Sequence, residues 1–182
     1  MTKRLLILVL FLVRLISYGQ TATDDLRQII SAKAYNDGTL EWTSAGETTK
    51  LPYVIEQFRW NKWIKIGEVD AHASSGQNIY RFKAVPYAGE NLCRIKPVSN
   101  SNDSKEVKWT SNLPKVKFSI KKKASKIEFS DEQSRPIETM YEIIDSSGTL
   151  VKKGWAQYVS YDNLPKGTYT LNYDNSTTEF KR

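Results

Sequence analysis

The stretch DGTLEWTSAGE, residues 37–47, decides the fold class of the chain. Leu40 and Trp42 alternate with polar residues, so an extended strand directs both side chains to one face. Glu41 then points to the opposite face, and an Asp-Gly turn signal opens the stretch. The period of two therefore predicts a half-buried β-strand.

The same alternation recurs along the next 60 residues or so, with turn signals about every 8 to 12 residues and no convincing helical period. The further apolar pairs are Tyr53 with Ile55, Tyr80 with Phe82, and Cys93 with Ile95. Short strands at this spacing are typical of antiparallel β-sandwiches. The fold class predicted from the sequence is all-β, with two small antiparallel sandwiches in tandem.

The chain has 182 residues, of which 40% are hydrophobic and 12% aromatic, enough to form a core. Cys93 is the single cysteine and His72 the single histidine, so an intrachain disulfide and a His/Cys metal cluster are both excluded. The sequence has no Gly-x-Ser-x-Gly elbow, phosphate-binding glycine loop or paired-carboxylate motif. We therefore expect no catalytic residues, no metal and no cofactor.

Residues 1–19 have the pattern of a secretory signal peptide: Lys3 and Arg4 precede an apolar run over residues 5–13, and small residues come just before Gln20. A membrane anchor is the alternative, but this run is far shorter than the roughly 20 residues needed to span a bilayer. Removing residues 1–19 leaves 24 basic and 20 acidic residues, a formal charge of +4. We expect export through the inner membrane.

A polar stretch at residues 100–114 separates two regions of alternating pattern, which predicts one domain over residues 20–112 and a second over 113–182. In the second region, the pattern predicts a strand containing Val116, Phe118 and Ile120, another over residues 155–161, and a closing strand over 168–173. The lysine-rich segment 121–126 is interpreted mainly as a solvated hairpin edge. Binding of anionic lipopolysaccharide is its alternative, whereas nucleic acid is not expected because interleaved aromatic residues are few.

Pro165 and Gly167 form a turn ahead of the closing strand, whose Tyr169, Leu171 and Tyr173 share one face. Burial of three large side chains, at about 1.5 to 3 kcal/mol each, is expected to keep this strand ordered. Beyond it, the sequence suggests a short exposed tail that another protein recognises. The tail residues are Phe180, Lys181 and Arg182.

Residues 26–111 resemble a fibronectin type III or related immunoglobulin-like module of exported Bacteroidota proteins. The resemblance lies in DGTLEWTSAGE, YVIEQF, WIKIGEV, NIYRF and AGENLCRIKPV, in this order. Trp42 matches the family's core tryptophan on the second strand. Cys93 stands where family members commonly have tyrosine.

The last 70 residues or so resemble the C-terminal sorting domain of proteins exported by the type IX secretion system. The matching stretches are YEIIDSSGTLVKKG, VSYDNLPKGTYTLNY and the terminal EFKR. Ser119-Ile120-Lys121 stands where the family usually has a Pro-Asn-Pro element. The resemblance implies recognition by an outer-membrane translocon or carrier protein of that system. It assigns the recognition residues to Gly148, Leu164, Pro165, Gly167, Tyr169, Lys181 and Arg182, with Phe180 beside them in the tail.

These observations together predict a non-enzymatic cell-surface or secreted protein, an adaptor with a role in adhesion or gliding motility, whose first domain contacts a larger surface adhesin or a polysaccharide. A retained accessory subunit of the outer-membrane export apparatus is the first alternative. A carbohydrate-binding module is the second, because Trp60 and Trp63 flank a turn and indole rings stack on sugars or anchor partners. Such residues also cap sandwich cores, and the sequence favours that role for these two tryptophans.

Overall fold

The computed structural model of the chain describes residues 25–99 and 103–182. The predicted signal peptide at 1–19 lies outside the described residues. Strands dominate the described part, and they form four antiparallel sheets that pair into two sandwiches. The predicted fold class, tandem antiparallel β-sandwiches, is thus confirmed.

The first domain consists of a three-stranded sheet facing a four-stranded one. Its strands are β1 (Gln28–Ala34), β2 (Thr39–Ala45), β3 (Tyr53–Arg59), β4 (Lys62–Val69), β5 (Asn78–Lys83), β6 (Gly89–Pro97) and β7 (Lys105–Ser111). The sheet orders are β1-β2-β5 and β4-β3-β6-β7. This is the strand order of a fibronectin type III sandwich.

Alternation of apolar and polar residues produces the core of the first domain, as expected. Leu40, Trp42 and Ile55 are almost completely buried, and Trp42 stacks on the Tyr80 ring with centroids 5.3 Å apart. Phe82 is half-buried and lies over Gly67 of the facing sheet, where a Cβ atom would be 2.4 Å from its ring. The missing side chain at Gly67 therefore makes room for the aromatic ring.

The second domain repeats the same topology with shorter strands. Its strands are β8 (Ser119–Lys122), β9 (Lys126–Ser130), β10 (Thr139–Asp145), β11 (Leu150–Ala156), β12 (Tyr158–Ser160), β13 (Thr168–Tyr173) and β14 (Ser176–Lys181). The sheet orders are β12-β9-β8 and β11-β10-β13-β14. Residues 112–118 connect the two sandwiches, and the strand containing Ile120 begins only at Ser119, later than the alternating pattern predicts.

The prediction of a single strand over residues 155–161 is wrong. The chain leaves one sheet after β11 and enters the opposite sheet as β12, with Gln157 between them. Trp155 is 46% exposed on one side of this crossing, whereas Val159 is buried on the other. The less exposed positions are even-numbered in β11 and odd-numbered from Val159 onward, so the phase of burial shifts at the crossing. The large apolar residues Trp155, Val159 and Tyr161 all fall on odd positions, which is why the sequence gives no sign of the change of sheet.

The prediction of an exposed tail after β13 is also wrong at Phe180. Asp174 has a φ of 45° and makes a tight turn with Asn175, after which the chain returns as β14 beside β13. Phe180 is 7% exposed and lies between the rings of Tyr161 and Tyr169, at centroid distances of 5.2 and 5.6 Å. The terminal segment is therefore part of the sandwich core.

The β3–β4 turn of the first domain contacts the second domain. Trp60 and Asn61 have φ values of 50° and 59°, as a two-residue hairpin turn requires. The Trp60 indole Nε1 donates a hydrogen bond to the Asp174 carbonyl oxygen at 3.0 Å. Beside it, the Lys62 ammonium lies 2.5 Å from a carboxylate oxygen of the buried Glu142. A hydrogen bond and an ion pair thus join the domains near the β13–β14 turn.

Candidate functional site

The eight residues assigned to sorting converge on one end of the second domain. The register pairs Asp145 with Tyr169 and Thr168 with Lys181, so the Gly148 turn, the start of β13 and the end of β14 lie together. We call this region the distal end, since it lies at the opposite end of β13 and β14 from the Asp174 turn. It consists of residues 122–125, 145–149, 161–167 and 181–182.

Hydrogen bonds hold the 161–167 loop in place. The Leu164 amide donates to the Tyr161 carbonyl at 3.2 Å, and the Tyr169 hydroxyl donates to the Pro165 carbonyl at 2.9 Å. Gly167 and Arg182 exchange two backbone hydrogen bonds, of 3.3 and 2.9 Å. These bonds extend the β13–β14 pairing to the last residue of the chain.

The assigned residues differ in what they offer to a partner. Leu164, Tyr169 and Phe180 are buried, so they support the distal end from within and are not contact residues. Their assignment as partner-binding residues is therefore corrected, because their side chains fill the core. The exposed members of the set are Gly148, Pro165, Gly167, Lys181 and Arg182.

Basic side chains cover the distal end. The Lys122 ammonium donates to the Lys181 carbonyl oxygen, and the Arg182 guanidinium donates to the Asp162 carbonyl oxygen. A shallow depression here is lined by Lys122, Lys123, Ala124, Tyr161, Lys181 and Arg182. The sequence resemblance included Lys181 and Arg182 but missed Lys122 and Lys123, which the β8–β9 turn brings to the C-terminus.

The carboxylates near this end remain ionised at neutral pH. A hydrogen bond from the Ser160 hydroxyl holds the pKa of Asp162 below its ordinary value. A hydrogen bond from the Ser147 hydroxyl does the same to the pKa of Asp145 in the Gly148 turn. Lysine and arginine side chains nevertheless outnumber them on this surface, so its charge is positive.

The lysine-rich segment 121–126 lies on the β8–β9 hairpin. Strand β8 is an edge strand of its sheet. Lys126 is 2.8 Å from a carboxylate oxygen of Glu128, whereas Lys121, Lys122 and Lys123 are exposed. Positive charge on an edge strand discourages pairing with another chain, as expected for this segment.

Trp60 and Trp63 have different surroundings. Trp60 is half-buried and bonded to the second domain, as described above. Trp63 packs edge-on against Phe58 at 5.3 Å, and the Arg94 guanidinium lies 4.3 Å from the centre of its ring. One indole therefore serves the domain contact, and the other is covered by side chains of its own sheet.

The first domain contains a buried carboxylate, that of Glu47, which no pattern in the sequence indicates. Its side chain is 1% exposed and accepts hydrogen bonds at both oxygens. Five donors contribute, at 2.5 to 3.2 Å: the hydroxyls of Ser44, Tyr53 and Tyr80, the His72 amide and the Asn78 side-chain amide. This network ties the loop after β2 to the loop before β5, which is a structural role.

We predict that this carboxylate makes stability depend on pH. Burial alone would raise the pKa of Glu47, but hydrogen bonds from Ser44, Tyr80 and Tyr53 outweigh it, and the pKa lies below its ordinary value of 4.5. The stabilisation is therefore complete above pH about 4.5 and is lost as the pH falls through the folded-state pKa. Wild type should exceed Glu47→Gln in free energy of unfolding at pH 7, and the difference should narrow below pH about 4.5.

Urea unfolding followed by tryptophan fluorescence measures this difference across the pH range. Glu68→Gln is the matched control, because Glu68 lies on the surface in an exposed ion pair with Lys65. Exposed ion pairs contribute about 0 to 1 kcal/mol, so the control should differ little from wild type at any pH. A Glu47→Gln deficit that stayed constant down to pH about 3 would contradict the prediction.

Two further classes of site were sought among the described residues, 25–99 and 103–182. They contain no group of three or more His, Cys, Asp and Glu side chains placed to hold a metal ion. No helix in this part of the chain is long and apolar enough to cross a membrane. Cys93 is buried in the core of the first domain, and burial raises the pKa of its thiol to about 12.

No protein-family model matches the chain, and no curated protein sequence matches it. Solved structures with similar folds do exist. A fragment of native α2-macroglobulin from Escherichia coli spanning domains NIE–MG1 is 12% identical, with 85% of this chain and 95% of that chain covered and a TM-score of 0.30. The FN1–FN3 domains of chicken CNTN1 are 11% identical, with 85% and 66% covered and a TM-score of 0.30.

Dimeric latent PorU from Porphyromonas gingivalis is a third similar structure. It is 11% identical, with 86% of this chain covered and a TM-score of 0.31, and the chain spans about a fifth of its length, 20%. Similarities at TM-scores of 0.30 and 0.31 assign neither a family nor a function to this chain. By their strand order, the described residues form fibronectin- and immunoglobulin-like β-sandwiches.

Proposed function

We propose that the chain is a non-enzymatic exported protein whose second domain is recognised by an outer-membrane translocon or carrier protein of a type IX secretion system. In this proposal, the first domain is the passenger that acts at the cell surface as an adaptor in adhesion or gliding. One observation carries the proposal. The stretches that resemble a sorting domain are separated in sequence, yet they converge on the distal end, which is basic and exposed.

The architecture of the distal end suits recognition by a protein partner. Buried aromatic rings of Tyr161, Tyr169 and Phe180 stack beneath the surface and fix the backbone above them. The partner would therefore meet a surface that is already ordered, so binding would cost little conformational entropy. Exposed positive charge favours an acidic partner and speeds its encounter.

Charge reversal at the distal end tests this function without unfolding the domain. Deletion of residues 161–182 is unsuitable, because it would remove β13 and β14 together with core side chains. The test variant instead combines Lys122→Glu, Lys123→Glu, Lys181→Glu and Arg182→Glu. We expect this variant to accumulate in the periplasm while the wild-type protein reaches the surface, as measured by cell fractionation and surface protease accessibility.

The matched control reverses four exposed charges on the first domain. These changes are Lys50→Glu, Arg81→Glu, Lys105→Glu and Lys108→Glu, all at exposed positions. The control changes the net charge equally and should still reach the surface. Normal surface exposure of the distal-end variant would overturn the proposal. The mass of the surface protein shows in addition whether its N-terminus is Gln20, as the predicted cleavage requires.

A further inference from the structure

The last strand of the chain is an open sheet edge. In the order β11-β10-β13-β14, strand β14 pairs with β13, and no other strand of residues 25–99 and 103–182 pairs with its outer side. Gly167 and Arg182 exchange both of their backbone hydrogen bonds, which makes them a hydrogen-bonded pair. In an antiparallel ladder such pairs alternate with non-hydrogen-bonded ones. The backbone N–H and C=O groups of Thr177, Glu179 and Lys181 therefore point away from β13.

The equivalent edge of the first domain is covered. Strand β7 has the same place in its sheet as β14, and β1 of the opposite sheet runs alongside it. In addition, the Ile29 amide donates to the Asp103 carboxylate at 2.9 Å, just before β7. In the second domain, the equivalent strand β8 begins only at Ser119. The described contact between the β8–β9 hairpin and the β14 edge is the hydrogen bond from the Lys122 ammonium to the Lys181 carbonyl oxygen.

Strand β14 has few of the features that keep sheet edges from pairing, and its charged residues are one glutamate and one lysine, Glu179 and Lys181. Its register with β13 runs without a bulge from Ser176 to Lys181, and the segment contains no proline. Neighbouring threonines at 177 and 178 favour the extended conformation. By contrast, β8 carries two lysines in four residues, and β12 is three residues long. A regular edge of six residues is a template for strand addition.

We propose that β14 accepts an extended, acidic segment of a partner protein as an added strand. This inference rests on the proposed function, since it names the partner's chemistry at the same end of the domain. Backbone hydrogen bonds to Thr177 and Glu179 would provide the pairing. Lys181, with Lys122 and Arg182 beside it, would attract carboxylates of the added strand at the C-terminal end of β14.

The positive charge of the distal end favours an acidic partner strand over a second copy of the chain. Antiparallel self-pairing about Phe180 would place Glu179 opposite Lys181 of the other copy, which is favourable. The same geometry would, however, bring two clusters of basic side chains together, each containing Lys122, Lys181 and Arg182. Like charges destabilise the pairing, so the positive distal end selects an acidic partner over itself.

The probe for the experiment is a six-residue peptide of alternating glutamate and valine, acetylated and amidated at its ends, added to the isotope-labelled full chain. We expect it to shift the backbone amide resonances of Thr177, Glu179 and Lys181 most strongly. A peptide of alternating lysine and valine is the control and should bind at least about tenfold more weakly, a difference of about 1.4 kcal/mol.

Glu179→Pro removes one outward N–H group and leaves the ladder to β13 intact, because proline is tolerated on an edge whose N–H faces solvent. It should weaken binding of the acidic peptide at least about tenfold. Glu179→Thr keeps the N–H and should bind as well as wild type or better. Unchanged affinity of Glu179→Pro, shifts centred away from β14, or no shift with millimolar peptide would each overturn the inference. Shifts that depend on protein concentration alone would identify a second copy instead and would also overturn it.

The two proposals fail separately. If Glu179→Pro still reaches the cell surface and the four-charge variant does not, strand addition is wrong while recognition of the distal end stands. If the acidic peptide adds to β14 but both variants reach the surface normally, the edge binds a partner other than the export machinery. Folding of each variant is checked by near-UV circular dichroism before either measurement.

Discussion

Replacing Glu47 by alanine is expected to lower the free energy of unfolding of the first domain by about 4 kcal/mol. The carboxylate accepts hydrogen bonds from five donors inside the domain, three of which are hydroxyl groups. Removing it leaves the buried Tyr80 hydroxyl without its acceptor, and leaves the Ser44 and Tyr53 hydroxyls with only their mutual hydrogen bond. The His72 and Asn78 amides keep other acceptors. Each buried polar group left unsatisfied costs about 1 to 3 kcal/mol, and relaxation of the loops recovers only part of the sum.

The aromatic core amplifies this effect. The Tyr53 and Tyr80 rings pack on Trp42 at 5.4 and 5.3 Å, so their hydroxyls cannot turn to solvent without disturbing that packing. Urea unfolding followed by fluorescence of the buried Trp42 measures the change, with Glu68→Ala as the exposed control. A loss below about 1 kcal/mol for Glu47→Ala would show that water replaces the carboxylate, contrary to the prediction.

Phe180→Ala is expected to destabilise the second domain by about 3 to 4 kcal/mol, as for other buried phenylalanines. The ring is stacked between Tyr161 and Tyr169, and the sheet positions of β13 and β14 leave little room for collapse. The cavity would lie directly beneath the basic surface. We therefore expect the amides of residues 161–167 to exchange faster with solvent in this variant.

The control for this variant lies on the same strand. Ser176 is exposed, and Ser176→Ala should change the free energy of unfolding by about 0.5 kcal/mol or less. Thermal unfolding followed by circular dichroism compares the two. Equal, small effects would mean that the terminal segment is loosely attached, as the sequence alone suggested.

Much of the fold was predictable because alternation is a local signal. Leu40 with Trp42, and Tyr169 with Leu171, are two apart, and any extended chain directs such pairs to the same face. The signal is strong where a strand carries several large apolar residues. It is weak in STTEFK, residues 176–181, where Phe180 is the single large apolar side chain, and this is why β14 was mistaken for a tail.

Other features depend on contacts between distant residues. Burial changes from even to odd positions at the Gln157 crossing, but Trp155, Val159 and Tyr161 all fall on odd positions. The apolar pattern therefore cannot separate one long strand from two strands in opposite sheets. Glu47 lies in a loop whose residues look solvated, and its burial depends on Tyr80, 33 positions away. Likewise, Lys122 joins Lys181 across 59 positions because two turns meet at one end of a sandwich.

The resemblance to a sorting domain named residues that lie together at the distal end, but it did not separate the buried residues from the exposed ones. A sequence motif can contain residues such as Leu164 and Tyr169 for two reasons. Their side chains either support the shape of a loop or contact a partner. Burial separates the two cases, and the sequence does not report burial at a turn. The structure assigns Leu164 and Tyr169 to the first case.

The site where Trp60 meets Asp174 lies one strand length, about 20 Å, from the opposite end of β13 and β14. If an unrelated β-sandwich replaced residues 25–111, the distal end would therefore remain accessible. The replacement would need a tryptophan in the hairpin that takes the place of the β3–β4 turn, so that the contact with Asp174 is kept. Chimaeras of this design would test the second domain separately from the first domain.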